Sequence, residues 1–180
     1  MVRVRLLAAA LLASTIAACA PTLGPPPPGY PPSVEPGTGE PAFRAHDFAW
    51  SQQPGNNAIV GRLIYQRGQT RYTCAGAVVI LTPETTWSRR RMEVLYLSAE
   101  RAALPADEVR ARTPQAPPGD STPFIKRATC DPTDRFSFAH LPDGAWYVIT
   151  IAKPVRGGGP TLALMRRVTT RGGRAVTVGL

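Results

Sequence analysis

Histidine, cysteine and serine are the residue types in this sequence that could carry catalytic chemistry, but their spacing does not favour it. A zinc peptidase needs ligands at His-x-x-Glu spacing, and neither His46 nor His140, the two histidines, has such a neighbour. No Gly-x-Ser-x-Gly segment presents a serine nucleophile. The run Gly157-Gly158-Gly159 lacks the lysine of a phosphate-binding loop. We therefore predict a non-enzymatic protein with no catalytic residue, no metal ligand and no cofactor.

Two of the three cysteines form an even pair within the folded part of the chain. Cys74 and Cys130 have no Cys-x-x-Cys partner and no histidine nearby, which does not favour a redox or metal site. In an oxidising compartment such a pair favours one disulfide. That bond would stabilise the fold by roughly 4 kcal/mol in the chain-entropy model. Two buried thiols are the alternative.

The densest charge in the chain is Arg89-Arg90-Arg91, with Trp87 close by. Guanidinium groups bind lipid phosphates and acidic partners, so these four residues are a candidate binding site. A solvated loop is the alternative. The formal charge of +9, almost all of it from arginine, favours anionic partners or a solvated basic surface. No motif of interleaved aromatic and basic residues favours nucleic acid.

The N-terminal segment carries signals for location. Arg3 and Arg5 precede an apolar run that is too short to span a membrane, which indicates a cleaved export signal over residues 1–18. The segment Ile16-Ala17-Ala18-Cys19 resembles the lipobox of bacterial lipoproteins. That resemblance implies cleavage before Cys19, palmitate on its sulfur and attachment to a membrane. An ordinary secretory signal is the alternative.

Residues 19–45 form the predicted linker. They are rich in proline, including the run Pro25-Pro26-Pro27-Pro28, and favour a disordered, extended tether rather than a helix or strand. Residue 20 is alanine and not aspartate. In a Gram-negative host this resembles the pattern of lipoproteins sent to the outer membrane, where the domain would face the periplasm.

Residues 50–180 contain about seven or eight short β-rich segments with turn signals between them and no long amphipathic helix. This pattern predicts a single all-β sandwich domain of about seven strands. The clearest predicted strands are 58–65, 71–81 and 145–152. Residues 87–123 interrupt the pattern as an insertion, in which 93–98 favour a short strand and 99–104 a weak helix.

Two stretches of this domain together resemble a known family. Residues 61–83 and 131–148, the latter containing Phe136-Ser137-Phe138 and Leu141-Pro142-Asp143-Gly144, resemble the carboxypeptidase regulatory-like domain, a transthyretin-like (prealbumin-like) β-sandwich. Asp134 stands where the family has a glycine in a left-handed turn, and the insertion also departs from the pattern. The resemblance implies a non-catalytic accessory fold.

These observations predict a lipid-anchored cell-envelope module that binds an envelope protein or glycan, or has a structural role. A carbohydrate- or peptidoglycan-binding accessory domain is the alternative, and it requires an exposed aromatic platform from Trp87, Trp146 or Tyr147. A small transthyretin-like hydrolase is a further alternative. It requires His46 or His140 in a pocket with a polar partner.

Overall fold

The computed structural model describes residues 41–114 and 119–180. The predicted export signal, Cys19 and the proline-rich run lie outside the described residues. Among the residues described, no helix has the length and apolar character needed to cross a membrane.

The described chain is built mainly of short strands. Two α-helices lie in the segment that the sequence marks as an insertion, and 3-10 helices occupy Ala45–Gln52 and Thr122–Phe124. The other elements, in chain order, are β1 (Asn57–Arg62), β2 (Gln66–Arg67), β3 (Thr70–Thr73), β4 (Val78–Pro83), α1 (Thr86–Tyr96), β5 (Arg101–Pro105), α2 (Ala106–Ala111), β6 (Lys126–Thr129), β7 (Arg135–Leu141), β8 (Gly144–Pro154), β9 (Leu162–Thr170) and β10 (Ala175–Gly179).

The strands form two sheets. In the larger sheet the order across the centre is β6-β4-β8-β9-β5, and β3 pairs with the far end of β8 while β2 pairs with β3. The smaller sheet has the order β10-β1-β7, with β1 parallel to β10 and antiparallel to β7. The all-β sandwich predicted from the strand pattern is confirmed.

The main core lies between the two sheets. Ile59 of β1, Phe136 and Phe138 of β7, and Trp146 and Val148 of β8 are buried there. The absence of a side chain at residue 61 is essential to this packing, because a Cβ there would lie 1.9 Å from the Phe136 ring. Both phenylalanines are buried in this core, and glycine at residue 61 leaves the space that the Phe136 ring occupies.

A helical layer covers the outer face of the larger sheet. Met92, Leu95 and Tyr96 of α1 and Val109 of α2 belong to a second buried cluster with Tyr147, Ala163 and Met165 of the sheet. Strand β8 serves both clusters because alternate side chains of a strand point to opposite faces. The insertion therefore adds a third layer to the sandwich.

Two local predictions within the insertion are wrong. Residues 93–98 were expected to form a strand, but 93–96 lie in α1, and Leu97 ends that helix in the left-handed conformation with φ 56°. Residues 99–104 were expected to be weakly helical, but 101–104 belong to β5, which pairs with β9. Pairing with the sheet edge outweighs the weak helix propensity of this alanine-rich segment.

The predicted strand over residues 71–81 is divided. Cys74-Ala75-Gly76-Ala77 separates β3 from β4, and Gly76 has a positive φ of 75°. The backbone of this connection bonds to Cys130, with Gly76 N–H donating to its carbonyl at 2.9 Å and Cys130 N–H donating to Ala77. The interruption thus places Cys74 beside the end of β6.

Candidate functional site

The predicted binding cluster of arginines lies on a helix rather than in a loop. Arg89, Arg90 and Arg91 are in the first half of α1, which begins with a capping box between Thr85 and Ser88. Arg90 pairs with Glu93 at 3.3 Å. The helix therefore separates the three guanidinium groups around its axis, since neighbouring helical residues do not face each other.

Arg89 contributes to the attachment of α1 to the sheet. Its Nη1 lies 2.8 Å from Oε1 of Glu84, a side chain that is only 13% exposed. Arg167 of β9 donates from Nε to the other oxygen of Glu84 at 2.7 Å, and the Tyr147 hydroxyl donates to Oε1 at 3.3 Å. Burial, followed by the charge of Glu84, raises the pKa of Tyr147 above its ordinary value. The Arg89 side chain is therefore engaged in a structural ion-pair network.

Trp87 is buried rather than available to a ligand. It is 7% exposed and its ring lies 5.3 Å from that of Phe43 and 6.0 Å from that of Phe48. The Arg91 guanidinium lies 5.5 Å from the centre of the Trp87 ring, within the range of a cation–π contact. The space beside Trp87, Arg90 and Arg91 is about 40 Å³, which holds only a few water molecules.

The proposed aromatic platform is not present on the described surface. Trp146 and Tyr147 are both 0% exposed. The Trp146 indole faces the core between the sheets and donates to Thr170 Oγ1 at 3.0 Å, whereas Tyr147 lies under the helical layer. The expectation that Trp87, Trp146 or Tyr147 lines an exposed ligand face is therefore wrong.

Both histidines lie on the surface. His46 is 85% exposed, and its Nδ1 lies 2.8 Å from the carboxylate of its neighbour Asp47. His140 is an exposed residue near the end of β7, with a positive φ of 56°. Neither His46 nor His140 lines the space beside Trp87.

The predicted disulfide between Cys74 and Cys130 is present in the structure. Both cysteines are 1% exposed. Asp134 lies close to the two sulfur atoms, at a spacing that could hold a metal ion. Metal binding by cysteine requires thiolates, however, and sulfurs joined in a disulfide are not thiolates. With the disulfide formed, Cys74, Cys130 and Asp134 therefore have a structural role.

A cleft at one edge of the sandwich combines an apolar base with charged side chains in the described part of the chain. The larger sheet is wider than the smaller one, and β10 lies against β9, so the inner face of β5 extends past the smaller sheet. The resulting β5–β10 cleft has a volume of about 380 Å³. Its lining includes Tyr65, Arg101, Ala103, Leu164, Arg166 and Gly179.

The β5–β10 cleft is apolar at its base and positively charged. Leu164 belongs to the main core, and the partly buried Ala103 packs against it. Arg101 and Arg166 are directly opposite each other in the pairing of β5 with β9. Arg166 donates from Nη1 to the Gly179 carbonyl at 2.7 Å. No aspartate or glutamate is among the cleft's lining residues in the described structure.

The cleft could not be found from the sequence because its residues are distant in the chain. Arg101 and Arg166 are 65 positions apart, and only the pairing of β5 with β9 brings them together. The segment containing Arg101 favoured a helix, which obscured that pairing. The apolar run Leu162-Ala163-Leu164-Met165 was the available signal for β9, but it does not identify the neighbouring strand.

Comparisons with known proteins support the fold. No family model matches the chain, and no curated protein matches it. Among solved structures, the chain is similar to a proposed carbohydrate-binding protein from Pseudomonas aeruginosa, with 24% sequence identity and a TM-score of 0.55. The similarity covers 79% of this chain and 99% of that one. At this level of identity the similarity shows the β-sandwich fold.

Proposed function

We propose that this chain is a lipid-anchored, non-enzymatic binding module of the bacterial cell envelope, with the β5–β10 cleft as its ligand site. The cleft itself is the observation that carries this proposal. It offers about 380 Å³ of space, an apolar base and two guanidinium groups held on neighbouring strands. Binding sites combine an apolar lining with a few placed polar groups in this way.

The location in this proposal rests on the N-terminal sequence. The lipobox-like segment ending in Cys19 supports a lipid anchor, and the proline-rich residues that follow it supply reach from the membrane. In a Gram-negative host, Ala20 supports an outer-membrane lipoprotein that faces the periplasm. The resemblance to the carboxypeptidase regulatory-like domain agrees with an accessory role.

The chemistry of the cleft side chains supports binding over catalysis. The charged side chains in the lining are arginines, which donate hydrogen bonds but do not accept a proton in proteins. A hydrolase would need a general base within hydrogen-bond reach of its substrate. His46, the histidine with an acidic neighbour, is 85% exposed and is not part of the cleft lining.

Carbohydrate is the ligand class we favour as a second, more specific candidate. The similar structure is a proposed carbohydrate-binding protein. Tyr65, which is half-buried and lines the cleft, offers this chain an aromatic ring for a sugar in place of Trp87 and Tyr147. A tyrosine presents an apolar face together with a hydroxyl, which suits the mixed surface of a sugar ring.

Capture from crosslinked envelopes tests the proposed function. We expect Ala103→Trp, which fills the cleft, to reduce capture of the wild-type partner at least tenfold. Ala139→Trp is the matched control because residue 139 is exposed on β7, outside the cleft lining. Tyr65→Ala serves as a second cleft variant if Ala103→Trp lowers the melting temperature. Equal capture by the wild type and both cleft variants would show that the cleft is not the site.

A further inference from the structure

The arginines of the β5–β10 cleft form a like-charge pair, and no aspartate or glutamate of the described chain lines the cleft beside them. Residues directly opposite on antiparallel strands have Cβ atoms about 5 Å apart, so like charges there destabilise the sheet. Arg101 and Arg166 occupy such positions. In the described part of the chain neither makes an ion pair, whereas Arg89, Arg90, Arg110 and Arg112 of the helical layer each pair with a carboxylate.

One of these two guanidinium groups is already oriented by the fold. Arg166 uses Nη1 to donate to the Gly179 carbonyl at 2.7 Å. A guanidinium has five N–H donors, so most of them stay available to a ligand. Its planar fork matches the two oxygens of a carboxylate, which can accept two parallel hydrogen bonds.

The remainder of the cleft favours a ligand with a ring beside its charge. Leu164 and Ala103 form an apolar base, and Tyr65 stands in the lining with its ring 5.7 Å from that of Tyr72. The contact with the buried Tyr72 limits the movement of the Tyr65 ring. A flat sugar face can pack against such a ring while its acidic substituent reaches the arginines.

We propose that the β5–β10 cleft binds an acidic glycan, a sugar chain whose rings carry carboxylates. Arg101 and Arg166 donate hydrogen bonds to a carboxylate that lies between them, and Tyr65 packs against the sugar ring. This inference rests on the proposed function, since it names the ligand class of the same cleft. Binding of the carboxylate relieves the repulsion between the two arginines, so affinity depends on both of them.

Calorimetric titration of the purified mature domain with uronic-acid oligosaccharides tests the inference. The probes are hexagalacturonate, an alginate hexamer, and the methyl ester of hexagalacturonate, which keeps the ring but removes the charge. We expect at least one acidic probe to bind. If hexagalacturonate binds, its methyl ester should bind at least tenfold more weakly. Arg101→Gln/Arg166→Gln should weaken binding at least tenfold.

Arg127→Gln is the matched control for charge. Arg127 is exposed on β6, at the opposite edge of the larger sheet, and makes no ion pair in the described structure. We expect it to bind as the wild type does, apart from a small loss that disappears at higher salt. Equal weakening by Arg127→Gln and the double variant would overturn the inference, because the attraction would then be diffuse.

Two further results would overturn the inference without affecting the proposed function. One is equal binding of the acidic and methyl-esterified sugars. The other is the absence of binding by any acidic probe while envelope capture still depends on Ala103. Displacement of the acidic probe by inorganic phosphate at the same concentration would also overturn it, because the site would then recognise small anions rather than an acidic sugar.

Discussion

At the scale of single residues, Asp134 joins three parts of the sandwich. Its carboxylate oxygen accepts from the Cys74 N–H at 2.9 Å and from the Thr73 hydroxyl, and its carbonyl accepts from the Leu63 N–H. It does so with a positive φ of 64°. The left-handed conformation costs a residue with a Cβ about 1–2 kcal/mol. A glycine avoids that cost but has no carboxylate to offer.

Substitution of Asp134 should separate the contribution of its carboxylate from the cost of its left-handed backbone conformation. We expect Asp134→Ala to lower the free energy of unfolding by about 2–4 kcal/mol, because a buried charged acceptor is lost. Asp134→Gly should lower it by about 1 kcal/mol less, because glycine adopts the left-handed conformation readily. Chemical denaturation of the oxidised proteins measures both values. A larger loss for glycine than for alanine would contradict this account.

The left-handed turn at Asp134 was predictable from a local motif, but the burial of individual aromatic residues was not. The motif specifies a positive φ at one position, and the structure has it. Trp87 and Tyr147 instead depend on what covers them. Tyr147 faces the outer side of the sheet, and the insertion supplies the helices that bury it. Alternation in a strand gives the face of a side chain but not its cover.

At the scale of elements, the position of α1 depends on Glu84. The carboxylate lies just after β4 and bonds to Arg89 of the helix and Arg167 of β9. It connects the helical layer to two strands of the larger sheet. Removing one member of a partly buried ion-pair network leaves its partners without compensation.

Neutralising Glu84 should therefore loosen the helical layer. We expect Glu84→Gln to lower the free energy of unfolding by about 1–3 kcal/mol, less than for a fully buried pair because both arginines are partly exposed. Glu93→Gln is the control, with an expected loss within about 0.5 kcal/mol, since Glu93 is 38% exposed. Amide hydrogen exchange in α1 should increase in Glu84→Gln but not in Glu93→Gln. Equal effects of the two variants would show that Glu84 has no special role.

The sandwich strands were easier to predict than the insertion. Strands β1, β4 and β8 contain consecutive β-branched residues, which are enriched in strands. The run Val94-Leu95-Tyr96-Leu97 is short and apolar, and such a run is ambiguous between helix and strand. Its helix begins with a capping box that has Ser88 where glutamate or glutamine is typical, so the start signal is weak.

At the scale of the whole molecule, the positive charge is unevenly divided along the chain. Residues 84–114, which include the helical layer, contain six basic and five acidic residues. Residues 57–83 and 119–180 contain twelve basic and four acidic residues. Most of the net charge of +9 therefore belongs to the sandwich, the part that contributes most of the cleft. The positive electrostatic potential of this part of the chain speeds the approach of an anionic ligand at low salt.

The proposed membrane attachment depends on one residue. We expect Cys19→Ser to move the protein from the membrane fraction to the soluble periplasmic fraction and to abolish labelling by radioactive palmitate, because serine has no thiol to carry the lipid. Ala20→Ser keeps the cysteine and should stay in the membrane fraction. Absence of palmitate label from the wild-type protein, or equal labelling of the Cys19→Ser variant, would contradict a lipid anchor on Cys19.

The disulfide has a mechanical consequence if the domain is held by a membrane at one end and by a polymer at its cleft. Tension would then be transmitted through the folded chain. The Cys74–Cys130 bond closes a segment with a sequence separation of 56, which contains strands β4, β5 and β6 and helices α1 and α2. An extended chain spans about 3.4 Å per residue, so the bond withholds about 190 Å of extensible length. Pulling the ends apart would leave this segment closed until the bond is reduced.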